Sequence, residues 1–173
     1  MSDIEKGFDA LIERMETVEE EQQELTGEIR EKEVALLCRM VRDAAQLIPR
    51  IGLTMLEKGK QEPDGTIFDP TYYPEKMVVL GTTEPLAYRP DDVTRTVDHQ
   101  ICALSEDGRL FEVMYSSNGF IIDSYRQPLE CDEAFEIYGY ELMVMLYRAL
   151  KDYLENEEEL VNALRITLDY IGS

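Results

Sequence analysis

The sequence predicts an α+β fold: a long N-terminal helix or coiled-coil arm, an antiparallel β-meander of about four strands and two C-terminal helices. Three observations predict it. Apolar residues recur at steps of three and four between residues 4 and 55, apolar and polar residues alternate between 97 and 125 around glycine-containing turns, and helical spacing returns after Pro128. Helices flanking an antiparallel sheet suit a two-layer domain in which one sheet face packs on helices and the other meets water.

The first stripe is Ile4, Phe8, Leu11, Met15, Val18, Gln22, Leu25 and Ile29, at alternating steps of four and three. Between them stand mostly Glu, Gln and Arg, as in a helix that buries one narrow seam against another helix. Residues 1–30 are therefore expected to form an acidic coiled-coil oligomerisation arm. Its interface would be Ile4, Phe8, Leu11, Met15, Val18, Leu25 and Ile29, with Gln22 as the polar residue that sets register. Gly27 costs the helix about 1 kcal/mol relative to Ala, so a bend or fraying is expected there.

The stripe then shifts phase to Val34, Leu37, Val41, Ala44, Ile48, Ile51 and Met55, widened by Leu36, Met40 and Leu47. A broader face suits packing on a core, which assigns 33–48 to the first helix of a globular domain over 31–173. Pro49 interrupts or kinks that helix. From Gly59 to Pro90 five of the seven prolines occur, and the segment reads mostly as loop, with Met77–Leu80 its one short strand. A structureless stretch over 59–75 is longer than most loops, so its rings Phe68, Tyr72 and Tyr73 either contact a partner or pin the loop to the core.

Three alternating runs follow: Val97–Leu104, Arg109–Tyr115 and Phe120–Tyr125. Asn118-Gly119 signals a two-residue hairpin that pairs Tyr115 with Ile122 and puts Phe111, Val113, Tyr115, Phe120 and Ile122 on one face. For the hairpin before it, a three-residue loop closing Ser105 on Arg109 adds Val97, His99, Ile101 and Ala103 to that face; a one-residue slip would turn every side chain over. After Pro128, Asp132 is the expected N-cap of a helix to about Leu154, and Asn156 with Glu157, Glu158 and Glu159 is expected to start a second.

Composition narrows the function classes. The chain has 173 residues with 37 acids against 17 bases, a formal charge of -20, which opposes direct binding to nucleic acid or to anionic membranes. Residues 1–33 carry twelve acids against four bases, and 130–173 eleven against three. Cys38, Cys102 and Cys131 are odd in number and widely spaced, which reads as free thiols in a reducing compartment. No run of about 18 uncharged apolar residues exists, and the first residues are acidic where a secretory signal needs a basic then apolar run, so a cytoplasmic protein is expected.

Chemistry-bearing motifs are few. There is no Gly-rich phosphate loop, no G-x-S-x-G and no H-E-x-x-H. Asp98, His99 and Cys102, with Cys131 and Asp132 if the chain folds back, are the one constellation able to serve a thiolate or a zinc ion. Yet His99 and Cys102 are separated by an odd number and point to opposite sides of a strand. The alternative is a partly buried imidazole beside Tyr115 and cysteines as apolar filler. Asp91 and Asp92 are a loop pair of the kind that binds a divalent cation, without fixed ligand spacing. Eight methionines suit either a core or an adaptable binding surface.

The expected function is a non-enzymatic, acidic, homo-oligomeric interaction module: an adaptor, small chaperone or regulator. It would associate with itself through the N-terminal helix and bind a basic or amphipathic protein, with no cofactor and no metal. One alternative is an acidic mimic of nucleic acid that inhibits a nucleic-acid-binding enzyme through a row including Glu19, Glu20 and Glu21. The other is a small enzyme or metal site around Asp98, His99 and Cys102.

Overall fold

The computed structural model describes residues 2–172. It divides into two units, residues up to Leu36 and residues from Leu37 on. In chain order the elements are α1 (Asp3–Ala45), α2 (Ile48–Ile51), β1 (Leu53–Gln61), β2 (Ile67–Thr83), β3 (His99–Ser105), β4 (Leu110–Asn118), β5 (Ile121–Leu129), α3 (Cys131–Tyr138) and α4 (Glu141–Gly172). The fold is α+β, with five strands where about four were expected.

The first unit is a single helical segment. Ser2 and Glu5 cap its start reciprocally: the Ser2 N–H donates to Glu5 Oε2 at 2.5 Å and the Glu5 N–H to Ser2 Oγ at 3.3 Å. The helix runs unbroken through Gly27 and on to Ala45, so one helix replaces the two expected on either side of residue 31. The residues around Gly27 are strong helix formers, and the Glu28–Lys32 ion pair at 2.8 Å spans the next turn, so one glycine does not stop the helix. Pro49 kinks nothing: α1 has ended, and the proline sits in the first turn of α2, where its missing N–H has no partner to lose.

In the second unit the five strands close into an antiparallel barrel in sequence order, β1 returning to pair with β5 through Lys58 with Asp123, Gly59 with Ile122 and Lys60 with Ile121. The expected Pro-rich loop over 59–75 is instead the β1–β2 hairpin, turned at Glu62–Gly65 by a Gly65 N–H to Glu62 O bond of 2.9 Å. Proline cannot donate to a ladder and survives in strands at irregularities. The β1–β2 register shifts three times between Thr54 and Lys60, and neither Pro70 nor Pro74 occupies a paired position there. Val, Ile, Thr and aromatic residues around them supply the β preference.

The β3–β4 hairpin has the expected register: Ser105 closes on Arg109 through a 2.9 Å bond over three residues, and Gly108 takes φ +81°. The β4–β5 register differs by two residues, with Tyr115 opposite Ser124 and Asn118 opposite Ile121. Here the turn centres on Gly119 and Phe120, with Gly119 at φ +66° and the Phe120 N–H donating to Asn118 O at 2.7 Å. A slip of two keeps side chains on their faces, so Phe111, Val113, Tyr115 and Ile122 still share one side.

That side is the barrel interior, since every strand contributes to it. Met55, Tyr73, Met77, Ile101, Ala103, Phe111, Val113 and Tyr115 pack together, and Arg126 of β5 lies 4.6 Å from the ring centres of both Tyr73 and Phe111. Arg126 also pairs with Glu75 at 2.8 Å, and the polar tips of the rings are satisfied: Tyr115 donates to Leu56 O at 2.8 Å, and Tyr73 meets Ser124 Oγ at 2.7 Å. On the outside, Cys102, Leu104, Leu110 and Leu129 pack against Leu37, Val41, Ala44 and Ile48 and against Ala134, Leu142 and Leu146 from α3 and α4. Each fully buried leucine contributes about 1.5–3 kcal/mol, so burial on this face outweighs any single exposed ion pair.

Two helices do close the chain, but the break lies at Gly139 and not near residue 155. The N-cap of α3 is Glu130, whose N–H donates to the Glu133 carboxylate at 3.4 Å; Asp132 falls inside the first turn. Asn156 lies within α4, because the glutamates after it propagate a helix as well as they start one. Gly139 adopts φ 61°, ψ −148°, a conformation open to essentially no other residue, and nothing lies within 4 Å of where its Cβ would stand. Gly139→Ala therefore strains only the backbone, and its denaturation midpoint should report a loss of about 1–3 kcal/mol. A midpoint equal to the parent's would show that the α3–α4 corner relaxes freely.

Candidate functional site

The N-terminal stripe lies open along the first unit. Ile4 is 80% exposed and Met15 60%; Phe8, Leu11, Leu25 and Ile29 are exposed as well, and Val18 is partly so. Glu19, Glu20 and Glu21 occupy the same helix, all exposed. An apolar series of this length on one helix is not a scatter of single surface residues, which would need no explanation.

In the second unit, the C-terminal end of α1 and the first half of α4 line an apolar groove of about 420 Å³. Met40, Ala44, Leu47, Leu146, Leu150 and Leu154 form its walls. Beyond it α4 exposes Leu160, Val161, Leu164, Leu168 and Ile171 at helical spacing. Sequence reading assigned Met40, Ala44 and Leu47 to a core helix, since spacing shows that a face is apolar and not what covers it.

The aromatic trio of β2 is not one surface. Phe68 and Tyr72 are exposed, with Lys60 Nζ 5.9 Å from the Phe68 ring centre, whereas Tyr73 is 6% exposed inside the barrel. Successive strand residues face opposite sides, so Tyr72 and Tyr73 separate by necessity.

Asp98, His99 and Cys102 are likewise dispersed. His99 stands exposed opposite Tyr115, while Cys102 is fully buried on the helix-covered face, with its thiol pushed up to about 12 by burial and then by Glu112. Asp98 accepts the Ser117 N–H at 2.7 Å. Among the described residues no three His, Cys, Asp or Glu side chains converge as a metal site would require. The imidazole is exposed, not partly buried as expected, because His99 is the first residue of β3.

Two polar clusters were not legible as clusters in the sequence, which offered only Asp91 and Asp92 of the second. In the first, Glu112 is buried against the helices and accepts Gln100 Nε2 at 2.7 Å and the Tyr138 hydroxyl, while Gln100 Oε1 accepts the Leu86 N–H at 2.9 Å. Burial and then the Glu112 carboxylate push the Tyr138 phenol well above its usual range. Left unpaired, each buried group would cost about 1–3 kcal/mol, so the cluster fixes α3 on β3 and β4. In the second, Arg89 grips Asp91 with two bonds of 2.9 and 2.6 Å and Asp123 with one of 2.7 Å; Arg95 holds the other Asp123 oxygen at 2.7 Å. Asp92 accepts both Thr94 donors, at 3.0 and 2.6 Å. The Asp91–Asp92 pair is thus committed to the loop's own structure, each carboxylate to a different partner.

No known protein family, curated protein or solved structure matches this chain. Among the described residues no helix is long and apolar enough to cross a membrane.

The Arg89 cluster sets a pH dependence. Hydrogen bonding to Arg89 holds the Asp91 carboxyl below its ordinary value. A depressed carboxyl stabilises the fold above pH about 4, and the contribution is lost as the pH falls below that. Asp91→Asn should therefore lower the urea midpoint at pH 7, and the gap to the parent should narrow progressively as the pH falls below about 4. A gap independent of pH would show that the carboxylate charge contributes nothing.

Proposed function

We propose that the protein is a non-enzymatic interaction module that self-associates through the N-terminal half of α1 and offers its remaining apolar helix faces to an amphipathic or basic protein. The observation that carries this reading is the open heptad stripe from Ile4 to Ile29 on a helix whose other positions are rich in carboxylates. A second copy is the occupant this pattern fits best. The 3.5-residue period is self-complementary, and a helix of the same sequence presents the same narrow seam with Gln22 available to align with its counterpart. The groove between α1 and α4 and the stripe on the distal part of α4 support the second half of the reading, since an amphipathic segment docks in such a groove through anchors spaced three and four apart.

His99 and Cys102 lie on opposite faces of β3, which disfavours chemistry at that pair. Self-association and capture of a basic partner differ in their response to salt. Carboxylates flanking a seam between two copies repel, so salt tightens self-association; a basic partner is held by those carboxylates and is released by salt.

The test is light-scattering mass of the full chain at low and high salt. The expected result is a dimer that persists or tightens as salt rises. Met15→Asp should shift it to monomer, because a buried unpaired charge costs about 3 kcal/mol or more, over a hundredfold in dissociation constant. Circular dichroism of the variant should stay helical. A parent that is monomeric throughout, or a variant of unchanged mass, would remove the stripe from the interface.

A further inference from the structure

We propose that Cys38 and Cys131, far apart in sequence, form a reversible intramolecular disulfide that fastens the core end of α1 to the first turn of α3. Both are partly exposed free thiols, whereas Cys102 is fully buried. They line one cavity of about 410 Å³ together with Val41, Arg42, Glu106 and Asp107. Cys38 also acts on the Cys131 thiol, adding to burial in holding it above its ordinary range. Their helices are pinned beside them: Leu37 precedes Cys38, Ala134 lies one turn after Cys131, and both belong to the same buried core. Two thiols held side by side on packed helices and open to a cavity are placed for exchange, while the third is shielded from it.

The reaction is thiol–disulfide exchange with a small-molecule disulfide. The Cys38 thiolate, its proton released to solvent, attacks one sulfur of the reagent and expels the other half as a thiolate. The Cys131 thiolate then attacks Cys38 Sγ, and the second half of the reagent leaves. Two protein thiols lose two protons and two electrons, and the reagent is reduced to two thiols. The groups around the pair set the order of events. Burial, then Cys38 itself, then Glu130 and Asp132 push the Cys131 thiol up to about 12. Capping Cys38 removes its own part of that effect, so Cys131 becomes the resolving thiol after the first step.

The experiment treats the native full chain with glutathione disulfide and follows it by intact mass and peptide mapping. The expected product has lost two hydrogens, links the peptides bearing Cys38 and Cys131 within one chain, keeps Cys102 reduced and reverts with dithiothreitol. The cross-link should raise the thermal midpoint by about 5–15 °C. Cys131→Ser should stop at a glutathione adduct on Cys38. Adducts that persist on both cysteines of the parent, a cross-link between chains, or thiols that are never consumed would overturn the proposal. If the serine variant does not fold, the map of the parent decides alone.

Discussion

The pairing of β1 with β5 is the constraint on which the second unit rests. Only three residue pairs make it, Lys58 with Asp123, Gly59 with Ile122 and Lys60 with Ile121, yet they turn a meander into a closed barrel. Closure gives the sheet an inside, and the inside of a five-stranded barrel is narrow, so its contents must fit each other closely. Tyr73 and Phe111 fill it with Arg126 lying between their faces, and Glu75 neutralises the guanidinium. A charge in such a place is tolerable only with all its partners present. The other side of β3 and β4 is then covered by helices, so both strands are buried on both faces over most of their length.

That double burial explains which parts of the fold were legible in the sequence. The face carrying Ile101, Ala103, Phe111 and Val113 followed from alternation alone, and the Ser105–Arg109 closure followed from the face. The second face did not, because Gln100 and Glu112 look like solvent residues until they pair with each other and Tyr138 of α3 donates to Glu112. The β1–β2 hairpin was hidden by Pro63, Pro70 and Pro74, which read as loop, although a bulged ladder gives prolines places where no N–H is needed. At the C-terminus the misplaced break came from a capping pattern at Asn156 that competed with a glycine at Gly139. The positive φ of Gly139 decided, and spacing cannot reveal a backbone angle.

The candidate surfaces divide along the same line. Periodicity identified the apolar positions of α1 and α4 correctly as stripes, since that is all that periodicity measures. It took Phe68, Tyr72 and Tyr73 together because a loop has no faces; in a strand, one of the three turns inward. The thiol pair was invisible for a different reason: Cys38 and Cys131 are brought together by the packing of α1 and α3 on one core, a tertiary fact with no local trace.

A closed ladder also governs how the molecule meets its surroundings. An open meander ends in two strands whose backbone donors and acceptors wait for any extended chain, native partner or misfolded neighbour alike. Here β1 and β5 pair through Lys58–Lys60 and Ile121–Asp123, and beside that seam the Leu56 and Glu57 carbonyls are taken by the Tyr115 and Ser124 side chains. Recognition by strand addition is thereby set aside at the barrel's seam, and so is the templated stacking that makes exposed edges hazardous at high concentration. The exposed apolar stripes of α1 and α4 are helix surface, where contact depends on side chains and is therefore selective by sequence.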